Sequence, residues 1–226
     1  MPIKVRPHEI QREEFPRPPL GTHSGRRRRN ALAATDANYR WRRPAQTVLW
    51  FRGEETLLAR TRRRVAQILP PDRTLLVMTK AHEPCYAAAL AAVPPRLMVV
   101  QPGNRGTLPA ILWSLLRLSR LDPHAIAGFF PSDPHIADEE MFTEKVTSAC
   151  VAAETVSGVI LLGAAATVPE TEYGWIEAEP METGSRLPGV RRFWEKPSRA
   201  VAQTLLDRGC LWNTFVMVGR VDTSLN

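Results

Sequence analysis

Two stretches, Val99-Val-Gln-Pro-Gly-Asn-Arg-Gly-Thr-Leu-Pro-Ala-Ile111 and Ala125-Ile-Ala-Gly-Phe-Phe-Pro-Ser-Asp-Pro-His-Ile-Ala-Asp138, carry the strongest signal of architecture in the chain. An apolar run, Leu97 to Val100, stops at a polar glycine turn. Helical spacing follows at Ile111, Leu112, Leu115, Leu116 and Leu118, with Arg117 and Arg120 near the end where the helix dipole favours cations. A second apolar run, Ala125 to Phe130, ends at Pro131-Ser132-Asp133. The order is strand, turn, helix, strand, acid. In an open parallel sheet, ligands bind outside the carboxyl ends of the strands, so this stretch reads as a substrate crevice.

The same alternation extends both ways. Upstream, Glu55 to Ile68 has helical spacing, with Leu57, Leu58, Thr61, Val65 and Leu69 on one face, and Pro70-Pro71 ends it. Thr74 to Thr79 reads as a strand and His82 to Ala92 as a helix. Downstream, Asp138 to Ala153 is a helix with Asp138, Glu139 and Glu140 in its first turn, where acids are favoured. Val156 to Leu162 is a near-continuous apolar strand. Tyr173 to Ala178, Val190 to Glu195 and Leu211 to Val218 read as further strands of the same sheet. Ser198 to Asp207 reads as a helix that Ser198 can cap. The class is α/β: a Rossmann-like, mostly parallel sheet with helices on both faces.

Bulk properties narrow the function. The chain has 226 residues, 44% of them hydrophobic, enough for one sizeable core. No apolar run approaches the roughly 20 residues of a membrane span, and the N-terminus has no apolar signal core. Cys85, Cys150 and Cys210 form no Cys-x-x-Cys pair, which suits a reduced cytoplasmic protein without a disulfide framework. The net charge of +7 is unevenly placed. Residues 1–64 hold 16 Lys/Arg and 6 Asp/Glu, whereas residues 65–226 hold 14 and 17. A basicity confined to the first quarter argues against nucleic acid as the partner of the folded part, although a basic arm binding nucleic acid is a rival reading. Residues 1–53 keep neither period 2 nor period 3.6 and read as an irregular basic segment, with the α/β domain at 54–226.

Five short motifs now stand in order: Asn104-Arg105-Gly106-Thr107, Phe130-Pro131-Ser132-Asp133, Glu172-Tyr173-Gly174-Trp175-Ile176, Glu195-Lys196-Pro197 and Leu211-Trp212-Asn213. Together they resemble mannose-1-phosphate guanylyltransferases, of the sugar-phosphate nucleotidyltransferase superfamily, and imply a nucleotide-diphospho-sugar transferase type of fold. In that family a phosphate oxygen of mannose 1-phosphate attacks the α-phosphorus of GTP. Pyrophosphate leaves and GDP-mannose forms. The resemblance implies Mg²⁺ as cofactor, with GTP and mannose 1-phosphate as ligands.

Residue by residue, the resemblance implies that Asp133 is the metal-binding catalytic aspartate, and that Asn104, Arg105, Gly106 and Thr107 form the nucleotide-binding loop. It implies that Gly174, Glu195, Lys196 and Asn213 hold the sugar phosphate, with Lys196 also catalytic. Taken alone, Asp133 equally fits a turn aspartate, Asn104 or Thr107 a helix cap, Gly174 a strand bulge, and Glu195 and Lys196 an exposed charge pair. Pro134 stands where the family usually has His, and His135 is the nearest substitute.

One family motif has no match, a strand followed by L-A-G-G-x-G-x-R-L and later P-K-Q-F. Ser24-Gly25-Arg26-Arg27-Arg28-Arg29-Asn30-Ala31-Leu32 can be encoded by DNA that, read one nucleotide later, gives L-A-G-G-D-G-T-R-L. Pro44-Ala45-Gln46-Thr47-Val48, shifted alike, admits R-P-K-Q-F. The expectation is a frameshifted N-terminus and, because the family continues past the Leu211 strand, a truncated C-terminus. Impaired transfer follows, since four consecutive arginines cannot imitate a glycine turn. The alternatives are a non-catalytic nucleotide- or sugar-phosphate-binding protein, or a nucleotidyltransferase for another sugar 1-phosphate.

Overall fold

The computed structural model describes residues 2–5, 55–181, 183–184 and 187–225. Its elements are β1 (Pro2–Val5), α1 (Leu57–Val65), β2 (Leu76–Thr79), α2 (Glu83–Tyr86), β3 (Met98–Gln101), α3 (Thr107–Ser119), β4 (Ile126–Phe129), α4 (Glu139–Ala153), β5 (Val159–Ala165), β6 (Gly174–Ala178), β7 (Val190–Glu195), α5 (Arg199–Asp207), β8 (Leu211–Arg220) and α6 (Val221–Leu225). No helix among the described residues is long and apolar enough to cross a membrane.

Local chemistry sets the helix starts. Thr56 caps α1 by accepting from the Ala59 N–H at 3.1 Å, Asp138 caps α4 through Met141 at 2.9 Å, and Ser198 caps α5 through Val201 at 3.5 Å. Each oxygen satisfies an amide that the helix leaves unpaired. The expected His82–Ala92 helix shrinks to one turn, Glu83–Tyr86, preceded by a 3₁₀ turn.

The α/β class holds, with helices on both faces. On β4, Ala127 buries against Leu115 of α3 and Val221 of α6, while Ile126 packs on the opposite side with Val146 and Ala149 of α4. The period of two places Ile160 and Leu162 of β5 against α4 and turns Leu161 to the other face, with Ile176 and Val190.

Strand direction differs from the expectation of a mostly parallel sheet. Parallel pairing occurs in β2–β3, which forms a separate two-stranded sheet. The six-stranded sheet runs β1-β5-β8-β6-β7, with β4 pairing the far end of β8 on the same edge as β6, and all its pairs are antiparallel. β4 and β5 do point the same way, as a β-α-β crossover requires, but β8 is inserted in reverse between them. Apolar runs of four to seven residues carry no record of direction. Two further elements lie outside the sequence reading: α6 after β8, and β1, which pairs with β5 inside the stretch read as irregular. Pro2 opens β1, where a missing N–H costs nothing. The remainder of segment 1–53, with its arginine run, lies outside the described residues.

Candidate active site

The register of three strands brings together residues that the motif resemblance assigns to the sugar phosphate. Gly174 of β6 faces Glu195 of β7 directly, and Trp175 faces Trp212 of β8, so one residue further along, Gly174 stands beside Asn213. Asn213 in turn faces Gly163 of β5. Glu195, Gly174 and Asn213 therefore form one row across the sheet. Its glycines are closely approached by neighbouring side chains. A Cβ on Gly174 would stand 3.1 Å from Glu195 Oε2 and 3.0 Å from Phe193 Cζ, and one on Gly163 would stand 2.7 Å from Leu211 Cδ1.

Asn213 sits at an irregularity in β8. The β5–β8 register shifts between Leu161 and Gly163, and Phe215 takes φ 63°, a left-handed conformation that a bulky residue rarely adopts. Asn213 Oδ1 accepts from the Phe215 N–H at 3.0 Å, and Thr214 Oγ1 donates to the Leu162 carbonyl at 2.6 Å. Asn213 Oδ1 is thus engaged by the backbone, and its side-chain NH₂ makes no hydrogen bond among the described residues. Lys196 is also left-handed, at φ 42°, directly after β7. Its Nζ lies 3.4 Å from Glu172 Oε2, with both side chains exposed. Such a surface pair is worth about 0–1 kcal/mol, so Lys196 can exchange Glu172 for a phosphate at little cost.

A braced layer lies behind the row. Glu177, 7% exposed, is paired with Arg208, lies 3.8 Å from Arg191 and accepts from Trp194 Nε1 at 3.4 Å. Trp175 is fully buried, and its Nε1 donates to the Glu170 carbonyl at 2.8 Å. Burial pushes the Cys210 thiol up, with Glu177 adding to the shift, so that thiol is an inert part of this packing.

Asp133 follows β4. Phe129 faces Met217 of β8, and beyond that pair Pro131 and Pro134 share a small hollow with Thr214. The Asp133 loop therefore runs beside the irregular part of β8 that carries Asn213. Its carboxylate is exposed and makes no hydrogen bond or ion pair among the described residues. These contain no group of three or more His, Cys, Asp or Glu able to enclose a metal. A single free carboxylate suits Mg²⁺, which takes its other ligands from phosphates and water, and does not suit a structural zinc.

The Asn104–Thr107 loop stands apart from this row. Asn104 Oδ1 accepts from the Gly106 N–H at 2.9 Å, and Gly106, at φ 88°, is the α3 N-cap without a side-chain bond of its own. Asn104, Arg105, Gly106 and Thr107 are all exposed. Arg117, at the far end of α3, donates to the Met98 carbonyl at 3.0 Å, so α3 runs antiparallel to β3. That topology puts the amides of the α3 N-terminus at the carboxyl end of β3. They make no hydrogen bond or ion pair to the Glu195 row among the described residues.

Comparison with known proteins places the chain in one family. The family model described as Nucleotidyl transferase matches residues 42–225. The chain belongs to the nucleotidyl transferase family. It is 33% identical over 176 residues to the xanthan biosynthesis protein XanB of Xanthomonas campestris, covering 76% of this chain and 37% of that one. It is 30% identical over 174 residues to a mannose-1-phosphate guanylyltransferase of Sinorhizobium fredii, covering 75% and 34%. Among solved structures it resembles a mannose-1-phosphate geranyltransferase from Thermus thermophilus, with a TM-score of 0.67 and 30% identity, over 75% of this chain and 49% of that one. The chain thus spans about a third of the length of these curated relatives. The family match begins at residue 42, twelve residues ahead of the domain start expected from composition.

Sequence reading singled out Gly174 from Glu172-Tyr173-Gly174-Trp175-Ile176 and passed over its neighbours. Tyr173 meets Trp212 edge-on at 5.5 Å, and Trp212 meets Trp175 at 6.1 Å. By strand alternation these rings lie on the opposite face of the sheet, in the layer behind the row. The quoted motif was the available signal, since three of its five residues line or back the site.

Proposed function

We propose that this nucleotidyl transferase domain joins GTP to mannose 1-phosphate, giving GDP-mannose and pyrophosphate, and that the described residues build the acceptor half of that site. Strand register carries the reading: Gly174 faces Glu195, and the Trp175–Trp212 pairing continued by one residue brings Gly174 level with Asn213, with Lys196 directly after Glu195 and the Asp133 loop beside β8. Glu195 accepts from sugar hydroxyls, the free amide of Asn213 donates to them, and Gly174 lets the ring approach the backbone. Lys196 neutralises the sugar phosphate as a point charge. Asp133 would hold Mg²⁺, which supplies charge neutralisation on the triphosphate when bound. A phosphate oxygen of the acceptor then forms the new bond to the α-phosphorus of GTP as the bond to the β-phosphate breaks. The protein's contribution is positioning and electrostatic stabilisation.

The arginine run at Arg26–Arg29 stands where the resemblance calls for a glycine loop, and this favours a second reading in which the chain binds but scarcely turns over. Pyrophosphate release distinguishes the two. The chain should release little from GTP, mannose 1-phosphate and Mg²⁺, and clearly more once L-A-G-G-D-G-T-R-L replaces residues 24–32 and R-P-K-Q-F replaces residues 44–48. Activity equal in both forms would refute the role assigned to the loop. Saturable mannose 1-phosphate binding with no release from either form would favour the binding protein.

A further inference from the structure

We propose that Thr61 and Arg64 on α1 are positioning residues for the Asp133 loop, pinning residues 132–139 at both ends and so fixing where the Asp133 carboxylate stands. The proposal rests on Asp133 being the metal-holding carboxylate of the site above.

Arg64 is an unusual member of its run. Arg62 and Arg63 reach solvent, whereas Arg64 is 3% exposed. Burying a guanidinium is costly unless its charge and donors are used. Its partner is Glu139, the first residue of α4, at 3.5 Å, and Arg63 reaches the same carboxylate at 3.2 Å. The Arg64 guanidinium also lies over the Phe142 ring, 5.4 Å from its centre, and Phe142 packs edge-on against Phe130 at 6.4 Å. One turn earlier, Thr61 Oγ1 donates to the Ser132 carbonyl in a long bond of 3.5 Å. Arg64 Nε has no partner among the described residues and borders the hollow lined by Pro131, Pro134, Ile136 and Thr214. Thr61 thus holds the loop beside Asp133, and Arg64 holds its exit into α4.

Residues 131–137 make no backbone–backbone hydrogen bond of their own among the described residues. Their path depends on side chains, and α1 supplies the contacts at both ends. A loop so built has a defined shape only while α1 is docked.

The test uses the full chain with Thr61→Val, which keeps the shape and removes the hydroxyl, Thr61→Ser, which restores it, and Arg64→Met. Two quantities are read. One is Mn²⁺ affinity in the presence of GTP, followed by electron paramagnetic resonance. The other is hydrogen exchange of the Met141 and Phe142 amides, which rest on Asp138 at 2.9 and 3.2 Å. Thr61→Val should weaken Mn²⁺ about tenfold, Thr61→Ser should recover it, and Arg64→Met should also speed exchange in the first turn of α4 about tenfold. The β5 amides should exchange at the unaltered rate. Unchanged affinity and exchange in Thr61→Val and Arg64→Met would overturn the proposal, as would faster exchange spread equally through β5. If the unaltered chain takes up no Mn²⁺, uptake is read in the chain carrying L-A-G-G-D-G-T-R-L at residues 24–32 and R-P-K-Q-F at 44–48, and no uptake there removes the metal role of Asp133. The exchange readout then decides the clamp: faster first-turn exchange in Arg64→Met sustains it, and unchanged exchange overturns it.

Discussion

Replacing Gly174 with alanine separates binding from folding at this site. The added Cβ would stand 3.0 and 3.3 Å from Phe193 Cζ and Cε1, and 3.1 Å from Glu195 Oε2. Those atoms are the ends of side chains, and Phe193 is 42% exposed, so both neighbours can swing outward by a few tenths of an ångström. Forcing them off their rotamers costs about 0.5–1.5 kcal/mol, while alanine recovers roughly 0.5–1 kcal/mol of backbone entropy that glycine loses in a strand. The two nearly cancel, and the melting midpoint should move by less than about 4 °C. Binding should respond differently, because the carboxylate that yields is the one assigned to the sugar hydroxyls. Losing a hydrogen bond to a charged group is worth roughly 1.5–3 kcal/mol, about ten- to a hundredfold in affinity. Tryptophan fluorescence is the natural assay, since Trp175, Trp194 and Trp212 flank the row. Unaltered mannose 1-phosphate affinity in Gly174→Ala would refute the placement of Glu195 on the ligand. A midpoint loss beyond about 10 °C would show that its neighbours cannot give way.

Other positions give independent checks. Trp175→Ala removes a fully buried indole and leaves the Glu170 carbonyl without its donor, and should cost about 3–5 kcal/mol in urea denaturation. Gly106→Ala places a Cβ at φ 88° and should cost about 1–2 kcal/mol, whereas Gly103→Ala, with open space around it, should stay within about 0.5 kcal/mol. Arg220 hydrogen-bonds the Asp222 carboxyl and holds it well below the usual carboxylate range, with His124 and the Thr223 amide assisting. A depressed folded pKa gives stability that is present above the ordinary aspartate value and lost as pH falls below it. Between pH 5 and pH 2 the midpoint should therefore fall more steeply in the unaltered chain than in Asp222→Asn, and equal slopes would remove Asp222 from the account.

Much of this architecture was legible in the sequence where a local signal coincided with burial. Val190–Glu195 matches its expected bounds and Ser198 caps its helix as expected, whereas Asp138, expected in the first turn of its helix, is instead the cap one residue before it. Other features were hidden for physical reasons. The apolar stripe expected on α3 is narrower in fact. Leu115 is buried, whereas Leu112 and Leu116 are 40% and 55% exposed, because α3 meets β4 and α6 along one edge only. In sequence Arg64 is one of three consecutive arginines, and what accounts for its burial, Glu139 and Phe142, stands more than 70 positions away. Reversal of β8 between β4 and β5 is a tertiary choice without a periodic signature. Within the site, short motifs named Gly174, Glu195, Lys196 and Asn213, but the row they form depends on strand register. The irregularity at Thr214–Phe215 that aims Asn213 carries no glycine to announce it.

Lys196 and the row beside it are proposed to bind a sugar 1-phosphate. Calorimetric titration of the unaltered chain and of Lys196→Met with mannose 1-phosphate tests this most directly. Saturable binding by the unaltered chain, weakened about tenfold or more when the point charge is removed, is the predicted result. No binding by the folded chain, or binding indifferent to Lys196, would contradict it.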